Sequence, residues 1–304
     1  MQVGSQPELT EVGVDVQSRS RTLRIAGWST EPTGRAPDVI WLHANGFNAR
    51  TYRNTLAPLA PRLQILAIDQ RGHGATPQDA AVEAKRDALD MRDDLLGLLQ
   101  VVSPRRPVIL AGHSMGGCVS LLAAAEAPDR VRAIALFDPV ILSREATERA
   151  MSASGFAASE SPLIQKAKRR RRRFASRGDA FETYRQRSIF ATWPQEALRD
   201  YVAAGFRSLP DGEVELACAP EWEAANFAAH GHDIWDAMSR ITAPVRIWRA
   251  ESGSTCAIVE AADFPRPAGQ IEVRTVAGAT HFLPIENPGL VREALLGLAA
   301  ATPV

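Results

Sequence analysis

Ser114 stands in Gly112-His113-Ser114-Met115-Gly116-Gly117, directly after the apolar run Val108 to Ala111 and just before a helical stretch from Val119 to Glu126. A serine at such a strand-to-helix corner adopts strained backbone, so the residues two before and two after it must be small enough to let strand and helix approach. Gly112 and Gly116 meet that need. The corner lifts the hydroxyl clear of the sheet and places it at a helix N-terminus, where developing negative charge is stabilised. A serine hydroxyl is a weak nucleophile until a base takes its proton. Of the six histidines, His281 in Gly278-Ala279-Thr280-His281-Phe282 is best placed for that work, on a short loop between the last strand and a helix opened by Asn287-Pro288. His73, within Asp69-Gln70-Arg71-Gly72-His73-Gly74, reads as structural, whereas His230 and His232 lie in the insert, where a histidine can contact substrate but most do not.

Acyl transfer also needs donors for an oxyanion. Trp41-Leu42-His43-Ala44-Asn45-Gly46-Phe47 leaves a strand for a Gly-containing loop that can aim backbone N–H groups at a site. Asn45 is the candidate for one N–H, and Met115, the residue after the nucleophile, for the other. This chemistry requires neither a metal nor an organic cofactor.

These residues must be held by a sheet. Val12 to Val16 and Leu23 to Trp28 alternate as an antiparallel pair, after which short apolar strands alternate with helices, the pattern of a parallel sheet covered on both faces. The expected strands are Val39 to Leu42, Ile65 to Ile68, Val108 to Ala111, Ile134 to Phe137, Val245 to Trp248 and Ile271 to Val276. Met91, Leu95, Leu98 and Val102 form one helical stripe; Val291, Leu295 and Leu298 form another, behind an Asn287 N-cap. The alternation stops after Asp138-Pro139 and resumes at Pro244, so residues 140–243 read as a helical cap or lid inserted into a core of residues 1–139 and 244–304.

The ordered set His43-Ala44-Asn45-Gly46, Asp69 to Gly74, Gly112 to Gly116 and Gly278 to Phe282 resembles the α/β-hydrolase superfamily over nearly the whole chain outside the insert. The resemblance implies an eight-stranded, mostly parallel sheet with an antiparallel second strand, helices on both faces and a cap after the sixth strand. It also implies nucleophile and base roles for Ser114 and His281, in the order serine, acid, histidine. The acid departs from the pattern. Family members usually carry an aspartate a few residues past the seventh strand, but here the loop reads Arg249-Ala250-Glu251-Ser252-Gly253-Ser254-Thr255-Cys256. Two residues can take the part: Asp138 at the tip of the preceding strand, a position some dehalogenases and lactone hydrolases use, or Glu251. Asp138 is the preferred candidate.

The whole chain limits what else the protein does. Its 304 residues contain 35 basic and 35 acidic side chains, so no net field draws it to nucleic acid or an anionic membrane. The strongest charge run, Lys166-Ala167-Lys168 followed by Arg169 to Arg173, reads as a solvated helix face. Three scattered cysteines argue against zinc and disulfides. The N-terminal residues lack the features of a signal peptide and no run is long enough to span a membrane, so a cytoplasmic location is expected. Trp193, Trp222, Phe227 and Trp235 of the insert can line an apolar pocket or simply pack it, and Arg185 or Arg187 can meet a substrate carboxylate. The expected function is hydrolysis of a small carboxylic ester or lactone. The same residues also serve a C–C bond hydrolase or thioesterase, and the fold alone serves a non-catalytic ligand-binding protein.

Overall fold

In chain order the strands are β1 (Thr10–Ser18), β2 (Arg21–Ser29), β3 (Val39–Leu42), β4 (Ile65–Ile68), β5 (Val108–His113), β6 (Val131–Phe137), β7 (Arg173–Phe174), β8 (Phe206–Ser208), β9 (Val214–Leu216), β10 (Val245–Ala250) and β11 (Ile271–Val276). They come from a computed structural model that describes residues 9–303 apart from 20, 32–33, 79–80, 83–84, 86, 153–160 and 267–269. The reading of the extreme N-terminus therefore falls on residues 1–8, outside those described. Eight strands form one sheet in the order β1-β2-β4-β3-β5-β6-β10-β11. β2 runs antiparallel to both β1 and β4, and every pairing from β4 to β11 is parallel. This is the α/β-hydrolase fold.

Strands β3, β4 and β5 are buried at every position because helices cover both faces. Alternate side chains supply two cores: Ile40 and Leu42 face the helix Leu89–Val102 with its buried Met91, Leu95 and Leu98, while Val39 and Trp41 face the helix Pro288–Ala301 with its buried Val291, Leu295 and Leu298. Asn287 precedes that last helix as expected, but its side chain makes no capping hydrogen bond. The short helix Leu283–Glu286 runs straight into the position instead, with Asn287 N–H donating to the Leu283 carbonyl at 2.9 Å.

Between β6 and β10 lie the helices Arg144–Met151, Pro162–Lys168, Arg177–Arg185, Gln195–Ala204, Pro220–Ala228 and Ile234–Arg240. The segment read as a helical cap also contains a three-stranded antiparallel sheet, β7-β9-β8. Strands of two or three residues are too short to show alternation, which is why the sequence pattern misses them. Buried and half-buried polar contacts fasten the insert to the segments after β3 and β4. Asn48 Nδ2 donates to the Tyr201 carbonyl at 3.0 Å, Trp222 Nε1 to the Arg71 carbonyl at 3.0 Å, and Arg53 Nε to Asp200 at 2.9 Å. Among the described residues no helix is long and apolar enough to cross a membrane.

Candidate active site

β5 carries the chain to Ser114 and the helix Met115–Glu126 starts at the next residue. Ser114 has φ 55° and ψ −118°, a conformation that costs a non-glycine residue about 1–3 kcal/mol. The glycines make the corner fit. A Cβ on Gly112 would lie 2.4 Å from the Gly116 backbone, and one on Gly116 would lie 2.4 Å from the Leu42 carbonyl oxygen. Gly116→Ala is accordingly expected to lower the melting temperature by at least about 5 °C through overpacking against backbone, read by circular dichroism.

The loop after β11 brings His281 to the corner, where its Nε2 lies 3.0 Å from Ser114 Oγ. Its Nδ1 donates to Asp138 Oδ2 at 2.6 Å. Asp138, at the end of β6, also has positive φ, 44°, and is fully buried. Its Oδ1 accepts from Ala250 N–H at 2.8 Å and Ser254 Oγ–H at 2.6 Å, and its Oδ2 accepts from Thr255 N–H at 3.1 Å. Burial pushes this carboxyl's pKa up, but the bonds from His281, Ser254 and Ala250 outweigh it and hold the value below that of an ordinary aspartate. Glu251 lies elsewhere: its Oε2 accepts the Gly278 N–H at 2.9 Å. Of the two acid candidates, the fold thus brings Asp138 to His281, and the loop that lacks the usual aspartate supplies donors to Asp138.

Asn45 and Met115 line the same cavity as Ser114 and His281. Neither backbone N–H has a hydrogen-bond partner among the described residues, although most groups around them are paired. Unengaged N–H groups beside a serine are what an oxyanion would need as donors. The Asn45 side chain is held by the insert: Nδ2 donates to the Glu223 carbonyl at 2.9 Å and Oδ1 accepts from Asn226 Nδ2 at 3.1 Å.

His113 Nε2 lies 2.6 Å from the His281 carbonyl oxygen and must donate to it, since a carbonyl cannot donate. Nδ1 then accepts from Tyr52 O–H at 2.7 Å, and the Tyr52 oxygen accepts from Ala44 N–H at 3.2 Å. This neutral chain couples the loop bearing Asn45 to the one bearing His281. Burial lowers the His113 pKa to about 3, which keeps it neutral. His73, buried as its structural reading requires, accepts from Gly46 N–H at 3.0 Å beneath the Asn45 loop. The pattern does not single out Tyr52, Ser254, Thr255 or Asn226, because each acts through a contact across more than sixty residues or from the insert.

The cavity has a volume of about 1330 Å³, large for a small-ligand site. Of the insert's aromatic residues, Phe227 lines it; Trp193 packs against Phe47, Phe190 and Phe282, Trp222 is buried under the Arg71 carbonyl, and Trp235 bonds the Leu142 carbonyl at 3.0 Å. His230 and His232 also line the cavity, the latter with Nε2 3.2 Å from Cys118 Sγ. Arg187 lines it, whereas Arg185 pairs with Glu182. Among the described residues, no group of three or more His, Cys, Asp or Glu side chains is arranged to hold a metal.

Fold and sequence together define the class: residues 39–294 match the alpha/beta hydrolase family, and the chain belongs to it. It is thereby a hydrolase-family protein. Among curated proteins it is similar to a 2-(acetamidomethylene)succinate hydrolase of Mesorhizobium japonicum, 28% identical over 86% of this chain and 87% of that one. Among solved structures it is similar to an E-2-(acetamidomethylene)succinate hydrolase, with TM-score 0.71 and 24% identity over 96% of this chain and 100% of the other. A peroxisomal alpha-beta-hydrolase from Saccharomyces cerevisiae superposes with TM-score 0.73 at 15% identity, over 99% of this chain and 92% of that one. At these identities the solved structures establish the shared fold.

Proposed function

We propose that the protein is a serine hydrolase that cleaves a carboxylic ester or lactone through an acyl-enzyme on Ser114. The observation that carries this reading is the hydrogen-bonded line from Ser114 Oγ through both nitrogens of His281 to buried Asp138. Ser114 Oγ attacks the carbonyl carbon as its proton passes to His281 Nε2. Asp138 fixes the tautomer that leaves Nε2 free to accept, and its charge balances the imidazolium. The oxyanion accepts from the Asn45 and Met115 N–H groups. Collapse expels the alcohol, which takes the proton back from His281. Water, deprotonated by the same nitrogen, then attacks the acyl carbon and releases the acid and Ser114.

A burst experiment tests this. Mixing with excess p-nitrophenyl butyrate is expected to release one nitrophenolate per chain before the steady state, with a butyryl adduct in the intact mass; Ser114→Ala is expected to show neither. Steady release from both proteins without an adduct would count against the acyl-enzyme.

A second reading, the same residues acting on a C–C bond or thioester, is favoured by one observation: the relative aligned over 86% of the chain is named for a succinate bearing an acetamido group rather than for an ester. It keeps every role assigned above and changes only the group that leaves. A cytoplasmic setting is supported by the three cysteines, all buried free thiols.

In this account Asn226 is a positioning residue, acting through the Asn45 side chain on the oxyanion donor. Asn226→Ala is expected to lower kcat about tenfold with KM within about twofold, since a displaced donor weakens transition-state binding more than substrate binding. Asn226→Gln is expected to recover part of the loss. An unchanged kcat in Asn226→Ala would remove the role.

A further inference from the structure

The cavity above Ser114 has a marked charge imbalance. Among the described residues its lining contains the cations Lys85, Lys166, Arg169, Arg170 and Arg187 but one carboxylate, Glu223, on a chain whose total charge is zero. Two of the cations are balanced. Arg170 pairs with Glu223 and donates to Tyr201 Oη at 2.8 Å, and Lys85 pairs with Asp90. The remaining three, Lys166, Arg169 and Arg187, are exposed and have no carboxylate within ion-pair distance among the described residues. Lys166 and Arg169 stand three residues apart, on one side of the chain where the helix Pro162–Lys168 ends.

The rest of the arginine run behaves differently. Arg171 pairs with Asp179 at 2.9 Å, Arg172 with Glu221 at 3.5 Å, and Arg173 with Asp211 at 3.6 Å, and none of these lines the cavity. Lys168 occupies the same helix turn as Lys166 and does not line it either. Favourable charge at a helix C-terminus therefore accounts for lysines in that turn, but not for the gathering of unbalanced cations at the cavity. A cleft lined by one sign of charge focuses its field and concentrates ligands of the opposite sign. The guanidinium fork adds geometric fit to a carboxylate.

We propose that this cavity selects acyl substrates bearing a carboxylate remote from the scissile carbonyl, with Lys166, Arg169 and Arg187 meeting the carboxylate while Ser114 acts on the carbonyl. The proposal rests on the hydrolase reading and names the substrate class for that same site. Its apolar lining, including Phe227 and Phe282, accommodates the connecting chain.

The test compares mono-p-nitrophenyl glutarate with p-nitrophenyl valerate, which match in chain length and differ in the terminal carboxylate. The parent protein is expected to favour the glutarate in kcat/KM by about tenfold, and 0.5 M NaCl to shrink that preference. Arg169→Gln/Arg187→Gln is expected to raise KM for the glutarate about five- to tenfold and bring the two esters close to parity, consistent with loss of partly exposed charge contacts. Lys168→Gln is expected to leave the preference intact. A second measurement uses the parent protein alone: glutarate is expected to slow labelling of Ser114 by a fluorophosphonate, and uncharged glutaramide at the same concentration to leave it unslowed. Equal or better use of valerate, or equal effects of glutarate and glutaramide, would overturn the carboxylate selection while leaving Ser114 chemistry standing. Failure of the fluorophosphonate to label the folded protein would overturn the hydrolase reading and this proposal with it.

Discussion

Asp138→Asn is expected to lower kcat about 10⁴-fold, whereas Glu251→Gln stays within about twofold of the parent. An asparagine at position 138 has only one acceptor oxygen, but four donors converge on the two oxygens of the aspartate: His281, Ala250, Ser254 and Thr255. Its amide either faces a donor without accepting, or turns toward His281 and draws the proton to Nε2, the wrong nitrogen for a base. The imidazolium formed during attack also loses its counter-charge. Among the described residues Glu251 accepts a hydrogen bond from the Gly278 N–H and none from His281 or Ser114, so neutralising it leaves this line of contacts intact. Steady-state hydrolysis of p-nitrophenyl butyrate, with circular dichroism to show that both variants are folded, measures the difference. Near-parent turnover in Asp138→Asn would refute the assignment of the acid.

The second large effect is on stability in acid. His43, His73, His113 and His232 are buried, and burial is the main cause lowering the pKa of each below that of a free imidazole, to about 4 for His73 and about 3 for His113 and His232. Each stays neutral in the folded chain where the unfolded chain takes up a proton. The unfolded state thus binds more protons between about pH 6.5 and 4, and stability falls as pH falls through that window. Asp69 and Asp94 work the other way, since burial raises the pKa of each, to about 6 for Asp69, so each folded carboxylate gains a proton first and offsets one histidine, while His230, also lowered by burial, adds one on the histidine side. A net uptake of about three protons corresponds to a thousandfold change in the unfolding equilibrium per pH unit, or ~4 kcal/mol, against typical total stabilities of about 5–15 kcal/mol. Unfolding is expected above pH 4, before most carboxylates titrate. Tryptophan fluorescence followed from pH 7 to 3 in 0.1 M salt measures it, and a native signal that persists down to pH 4 would contradict the buried-neutral assignment.

What the sequence reveals and what it hides separate by the range of the contacts. β3, β4 and β11 match their expected limits, the first two because each is an apolar run bounded by polar or turn residues and β11 because its apolar residues alternate with polar ones up to a Gly-containing turn. β5 and β6 are longer than their apolar stretches suggest: β5 continues through Gly112 and His113 to the corner, and β6 begins at Val131. The meeting of Ser114 and His281 is legible because each lies in a short pattern with a local physical reason. Asp138 is legible only as one of two candidates. What distinguishes it is the set of donors from Ala250, Ser254 and Thr255, which depends on the parallel pairing of β6 with β10, a contact between residues more than a hundred apart. The link from Tyr52 through His113 to His281 is hidden for the same reason. So is the division of the arginine run, in which carboxylates from separate elements decide which guanidinium groups are balanced and which line the cavity.

The proposed mechanism requires Ser114 to be an activated nucleophile. Incubating the folded protein with a fluorophosphonate and measuring intact mass tests it most directly, with Ser114→Ala as the control. Rapid addition of one phosphonyl group per chain is expected, with no addition to the control. A folded parent protein that gains no mass, or a Ser114→Ala variant that labels as fast, would contradict it.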